Sequence, residues 1–283
     1  MEFRIRTWTQ LGLGAALAAG SLAACGQPAP QEPSAAPEVS APAGEAPAPA
    51  EAPAEEPALG AMGGEGEGGV AIEVAASDPV VYNVALAVAE AHVRAARDAY
   101  AAGEKDAAAE MFAHPVSEVL FDMEPVLQGQ GVEDFTGLFT GASAAVYAGE
   151  SQDDISARTE DILSALQAAS LKAPDNGTSE AEIALGVCAD MIDRAVKMYR
   201  NASESEFYEP YLDGYGFYRT AEATFAQSGT AIEAEHGEAA GAIGEALALL
   251  AAAYPTATRP DALDADQSAL TVAASNVMLD LAD

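Results

Sequence analysis

Helix-capping signatures recur along the last two hundred residues, and they constrain this chain more than any other feature. Asp78 precedes Pro79. Ser151-x-x-Asp154, Ser179-x-x-Glu182, Ser203-x-x-Glu206 and Thr230-x-x-Glu233 each place a side-chain acceptor where a helix leaves its first backbone N–H groups unpaired. Breaks fall between them at Gly103, Gln128-Gly129-Gln130-Gly131, Pro174-Asp175-Asn176-Gly177 and Tyr254-Pro255. The intervening segments are rich in Ala, Leu and Glu and lack runs of β-branched residues, which favours helices over strands. Helices are therefore predicted over 79–102, 104–128, 132–148, 152–170, 179–200, 204–227, 231–253 and 262–281. Such segments bury their apolar stripes only against one another, so residues 78–283 are expected to form an all-α bundle.

A weak internal repeat runs through this region. The stretch from Ala95 to Met123, around Tyr100 and His114, lays over Arg194 to Glu222, around Tyr199 and Asp213, with a turn-like break after each tyrosine. Two duplicated four-helix halves are the natural interpretation.

The N-terminal quarter has a different character. Arg4 and Arg6 precede an uncharged apolar run, Leu11 to Ala24, that is too short for a membrane span and suits a signal peptide over 1–24. The run ends in Leu22-Ala23-Ala24-Cys25, which resembles the bacterial lipobox. That resemblance implies lipidation of Cys25 and attachment to a membrane through the N-terminal lipid, including a palmitate-type acyl chain. Gly26 follows the cysteine where an aspartate would imply retention at the inner membrane, so the resemblance favours the outer membrane, with the domain in the periplasm. Residues 25–77 are dominated by Pro, Ala, Glu and Gly with no Lys or Arg, a composition expected to stay a disordered acidic tether. If Cys25 carries lipid, Cys188 has no partner within the chain. Its place on the stripe Leu185, Cys188, Ile192, Val196, Tyr199 points to a small buried hydrophobe. The formal net charge of −33 opposes binding to nucleic acid, and it is also what salt-adapted proteins carry.

Candidate chemistry is concentrated on two helices of the first half. His92 falls on the apolar stripe Val81, Val84, Val88, His92, Ala95, Ala99 and so faces the core. His114, Glu118 and Asp122 are spaced i, i+4, i+8 and share a face if the helix runs through Pro115; otherwise His114 sits at a break with Glu118 one turn above it. Imidazoles and carboxylates on facing helices are how bundles build metal sites, and nitrogen and oxygen donors suit Fe or Zn better than Cu(I). In the other half Tyr208, Tyr211, Tyr215 and Tyr218 share a helical face that either lines a ligand pocket or packs in a helix seam. Gly214 and Gly216, costly within a helix, call for a close neighbour there. His236, among Glu233, Glu235 and Glu238, suits the start of a helix without any site.

The helical region also resembles the imelysin-like family of exported, duplicated, all-helical proteins, to which a periplasmic component of ferrous-iron uptake is related. The likeness is local to His114 through Glu118. Where the family motif is Gly-x-His-x-x-Glu, Phe112 here occupies the glycine position and Glu118 follows His114 by four residues. The resemblance implies that His114 and Glu118 bind metal and that a metal-uptake transporter is a partner. No Cys-x-x-Cys-His, His-Glu-x-x-His, phosphate-binding glycine loop or Gly-x-Ser-x-Gly is present, so a c-type cytochrome, a zincin peptidase, an NTPase or a serine hydrolase is not expected. Two readings stand for a chain that is not expected to be an enzyme. One is a cell-envelope lipoprotein binding a transition metal, iron foremost, through His92, His114, Glu118 and Asp122, for uptake or storage. The other is a metal-free envelope interaction or structural lipoprotein.

Overall fold

The computed structural model describes residues 69–281, and these fold as an all-α bundle with no strand among them. The signal peptide, Cys25 and the tether up to residue 68 lie outside the described residues. Among the described residues, ordered structure already precedes residue 78, the expected start of the domain. A short helix α1 (Ile72–Ala75) packs on the bundle, Val70 and Ala75 are buried, and Arg194 donates to the Gly69 carbonyl at 2.9 Å. Ala71 and Ile72 also pack against the core, so this short apolar stretch carries enough hydrophobic surface to dock.

The central helix, α2 (Pro79–Ala102), is defined at both ends by its own sequence. Asp78 accepts from the Val80 and Val81 N–H groups, Pro79 occupies the first turn, and Gly103 closes the helix at φ +93°. The helix is buried on nearly all sides because it packs against α3 (Lys105–Pro115), α6 (Gln152–Ser170), α7 (Glu180–Ser203) and α8 (Glu209–Glu235).

Two four-helix rings are built on this frame. In the first, α2 contacts α3, α3 contacts α5 (Thr136–Ala148), α5 contacts α6, and α6 returns to α2. In the second, α7 contacts α8, α8 contacts α9 (Gly237–Ala253), α9 contacts α10 (Gln267–Asp280), and α10 returns to α7. The rings meet where α2 packs on α7 and α8. The paired tyrosines of the sequence repeat do matching work. Tyr100 O–H donates to the Glu150 carbonyl just before α6, and Tyr199 Oη accepts from the Ala265 N–H just before α10.

Several helix boundaries differ from expectation. Ser203 ends α7 instead of starting the next helix, and α8 runs through Thr230 to Glu235, so neither Ser203-x-x-Glu206 nor Thr230-x-x-Glu233 caps a helix. The break between α8 and α9 falls at His236, which is partly buried at this junction and not within the first turns of a helix. A hydroxyl caps only where the chain before it turns away; the Ser203 hydroxyl instead donates back to the Arg200 carbonyl of its own helix. The predicted helix 104–128 is continuous but changes type. A π-helical turn, Val116–Leu120, joins α3 to α4 (Phe121–Gly129). Its cause is Pro115, which has no N–H for the Met111 carbonyl and whose ring crowds that carbonyl.

Candidate metal centre

α8 comes unusually close to α2. A Cβ on Gly216 would stand 2.4 Å from the Ala91 carbonyl oxygen, and one on Gly214 would strike the Tyr254 hydroxyl and Met198. Only glycine permits this crossing. It brings Asp213 and Phe217 of α8 against His92 of α2.

His92 is 5% exposed, and its orientation is fixed by the Nδ1–H bond to the Val88 carbonyl at 2.8 Å, which directs Nε2 into the cluster. Nε2 lies 3.2 Å from Glu118 Oε2 and 3.7 Å from Asp213 Oδ1. The other Glu118 oxygen is 3.5 Å from His114 Nδ1, and the two imidazole centroids are 5.9 Å apart, edge to face. Phe217 closes one side at 6.0 Å from the His92 ring, and Arg194, paired with Asp190, lies over the Phe217 ring.

His92, His114 and Asp213 each offer one ligand atom, all within 4.8 Å of one another. A tetrahedral ion with bonds near 2.1 Å needs donors about 3.4 Å apart, so an ion requires the donors to close by an ångström or so. These three residues can hold a metal ion.

The electrostatics set the groups apart. Burial pushes the Asp213 carboxyl up to about 6, and the nearby His92 only partly offsets it. Its Oδ1 is enclosed and has no hydrogen-bond partner. Glu118 is held below the usual carboxylate range by the His92 hydrogen bond, against the opposing effect of burial. Burial alone would lower His92, but the Glu118 hydrogen bond, the charges of Asp213 and Glu118 and the Val88 carbonyl together raise it above an ordinary histidine. Both His92 nitrogens face acceptors, Nδ1 the Val88 carbonyl and Nε2 the Glu118 carboxylate, an arrangement that suits the protonated ring. A bound cation would take the place of the Nε2 proton.

The predicted set His92, His114, Glu118 and Asp122 converges except for Asp122, which is exposed on α4. The extra residue of the π-turn rotates everything after it by roughly 100° relative to a plain α-helix, turning Asp122 to solvent while Glu118 faces His92. Asp213 takes the vacated role. The sequence repeat had already laid His114 over Asp213, but nothing in that overlay marked the aspartate as a ligand.

The tyrosine face is a seam and not a ligand pocket. Tyr208 and Tyr211 donate to the Ala257 and Thr256 carbonyls, Tyr215 to Asp98, and Tyr218 to Glu222. Tyr254 sits at the centre, its hydroxyl bonded to the Ala195 carbonyl and its ring 5.2–6.4 Å from Tyr211, Tyr199 and Tyr218. Cys188 is buried, and its thiol is pushed up to about 12 by that burial, which suits packing and not nucleophilic chemistry. No helix among the described residues is long and apolar enough to cross a membrane. Compared with known families, curated proteins and solved structures, the chain gives no match.

Proposed function

We propose that the protein is a cell-envelope lipoprotein, anchored through Cys25 to the outer membrane, whose periplasmic helical domain binds a transition metal, with iron as the physiological ion for uptake or storage. The observation that carries the metal reading is Asp213 Oδ1. It is an enclosed carboxylate oxygen without a hydrogen-bond partner, set 3.7 Å from the inward nitrogen of a histidine whose other nitrogen is already tied to backbone. A buried carboxylate oxygen left without a hydrogen bond is costly, and a cation bound to it removes the cost. His92, His114 and Asp213 would be the ligands, and Glu118 the carboxylate that either joins them or holds the imidazoles in place. Two nitrogen and two oxygen donors favour Fe²⁺ or Zn²⁺ over Cu(I) and over the all-oxygen preference of Ca²⁺. In this reading the long tether gives the domain reach toward a transporter.

Metal content and Zn²⁺ titration of the full chain test the site. One equivalent bound by the wild type and lost in His114→Ala is the expected result; absence of binding in the wild type rejects the metal function. The anchor is tested separately by incorporation of labelled palmitate, which Cys25→Ala should abolish. A wild type that takes up no label would remove the lipoprotein reading and leave the metal reading intact.

A further inference from the structure

The cluster draws its donors from both halves of the bundle. His92, His114 and Glu118 belong to the first ring and Asp213 to the second. Around them the contact between α2 and α8 is a close apolar crossing, made by Ala91, Ala95, Gly216 and Phe217. Such a crossing fixes distance but offers little directional bonding. One polar pair across it is complete, Tyr215 O–H donating to Asp98 at 2.8 Å, but the pair at the cluster is not: Asp213 Oδ1 and His92 Nε2 stand 3.7 Å apart, beyond a good hydrogen bond, and Oδ1 has no hydrogen-bond partner. By contrast, His92 and Glu118 within the first ring are in hydrogen-bond contact at 3.2 Å.

On the reading that this site binds a metal, we infer that the ion is the pin of the joint between the halves, tying Asp213 of α8 to the two histidines of the first ring. Occupancy then governs how tightly α8 docks on α2. The loaded and empty proteins share a fold and differ in the strength of this one crossing. The first ring alone keeps two imidazoles and Glu118, enough to retain an ion weakly when the crossing loosens. An ion is therefore taken up into a closed joint and handed on from an open one, and a partner that distinguishes loaded from empty protein does so at the α2–α8 seam.

Hydrogen exchange of the full chain with and without Zn²⁺ tests this. At free Zn²⁺ a hundredfold above Kd, amides of α2 and α8 that exchange by opening of the crossing should slow by up to about 100-fold, since opening must first release the ion. Amides of α9, remote from the cluster, should not respond. Asp213→Asn preserves volume and removes the charge. It should weaken Zn²⁺ binding by at least the roughly tenfold that loss of an outer-shell partner costs, and protection should then stay confined to α2, α3 and the π-turn. If the wild type binds Zn²⁺ yet α8 shows no slowing, the pin is refuted while the metal function stands, and this arm needs no variant. Equal affinity in Asp213→Asn refutes it as well. If the wild type binds no Zn²⁺ at all, both readings fall together.

Discussion

Two clusters of polar and aromatic groups lie along α8, and they differ in how completely their hydrogen bonds are made. In the tyrosine seam, Tyr208, Tyr211, Tyr215, Tyr218, Tyr199 and Tyr254 each place the hydroxyl on a partner within the chain, three of them on the backbone of the irregular stretch after α9. In the histidine cluster, a few residues away, Asp213 Oδ1 has none. Elsewhere among the described residues the buried unsatisfied side-chain atoms are Thr220 Oγ1 and Arg219 Nε, and the latter faces Glu222 at 3.1 Å. Hydrogen-bond completeness separates scaffold from site. A fully satisfied network holds structure together, whereas an incomplete one built from ligand-type donors is poised for something absent from the chain.

The largest effect is expected from removing the centre of the seam. Tyr254→Ala takes away a side chain that is 1% exposed and touches three other tyrosines, and it should cost about 3–5 kcal/mol in denaturant unfolding. If the seam is only scaffold, the folded variant binds Zn²⁺ with wild-type stoichiometry.

Gly216→Ala probes both clusters together. Its new Cβ meets backbone and not a yielding side chain, so α8 must lift from α2 at a cost of about 1–3 kcal/mol, with weaker Zn²⁺ binding in the same variant. Unchanged affinity in a destabilised Gly216→Ala would show that the crossing does not position Asp213.

Changing pH sharpens the contrast, because the tyrosines do not titrate in the physiological range and the histidine cluster does. His92 is raised in the folded state, so the stability it contributes is fully present below the unfolded histidine pKa and is lost as pH rises through the folded value. Glu118 is lowered, so its contribution is present above the unfolded carboxylate pKa and is lost as pH falls through the folded value. Asp213, raised to about 6, acts in the opposite sense to Glu118: stability declines as pH rises from the unfolded aspartate pKa toward 6. Metal-free protein should therefore lose stability on going from mildly acidic to alkaline pH as His92 deprotonates. Zn²⁺ affinity should move the other way, rising about tenfold, or 1.4 kcal/mol, per pH unit while one proton is displaced. Thermal unfolding with Zn²⁺ or with a chelator across this range distinguishes the two trends; affinity independent of pH would mean that His92 is not a ligand.

The smallest effect is expected at Asp122. Being exposed on α4, it should tolerate Asp122→Asn within about 0.5 kcal/mol and with unchanged Zn²⁺ affinity, as measured by unfolding and titration. A marked loss of affinity would put Asp122 back into the site and make the π-turn rotation the wrong account.

The all-α class, the limits of α2 and α6, the inward faces of His92 and Cys188, and the need for a close neighbour at Gly214 and Gly216 were all written along the chain. Each of these follows from local physics: a capping side chain, a glycine in the left-handed region, an apolar stripe at helical period, a missing Cβ. The convergence of His92, His114 and Glu118 was legible for the same reason, since periodicity places them on facing helical surfaces. Tertiary structure alone decided the rest. The start of α8 at Glu209 and its extension through Thr230 run against the capping signatures at Ser203 and Thr230. The loss of Asp122 from the site depends on a proline answered by a π-turn and not by a kink, a choice made by the helices around it. Asp213 became a candidate ligand only because two residues over a hundred positions apart meet where a glycine lets two backbones touch, and no pattern along the chain encodes that meeting.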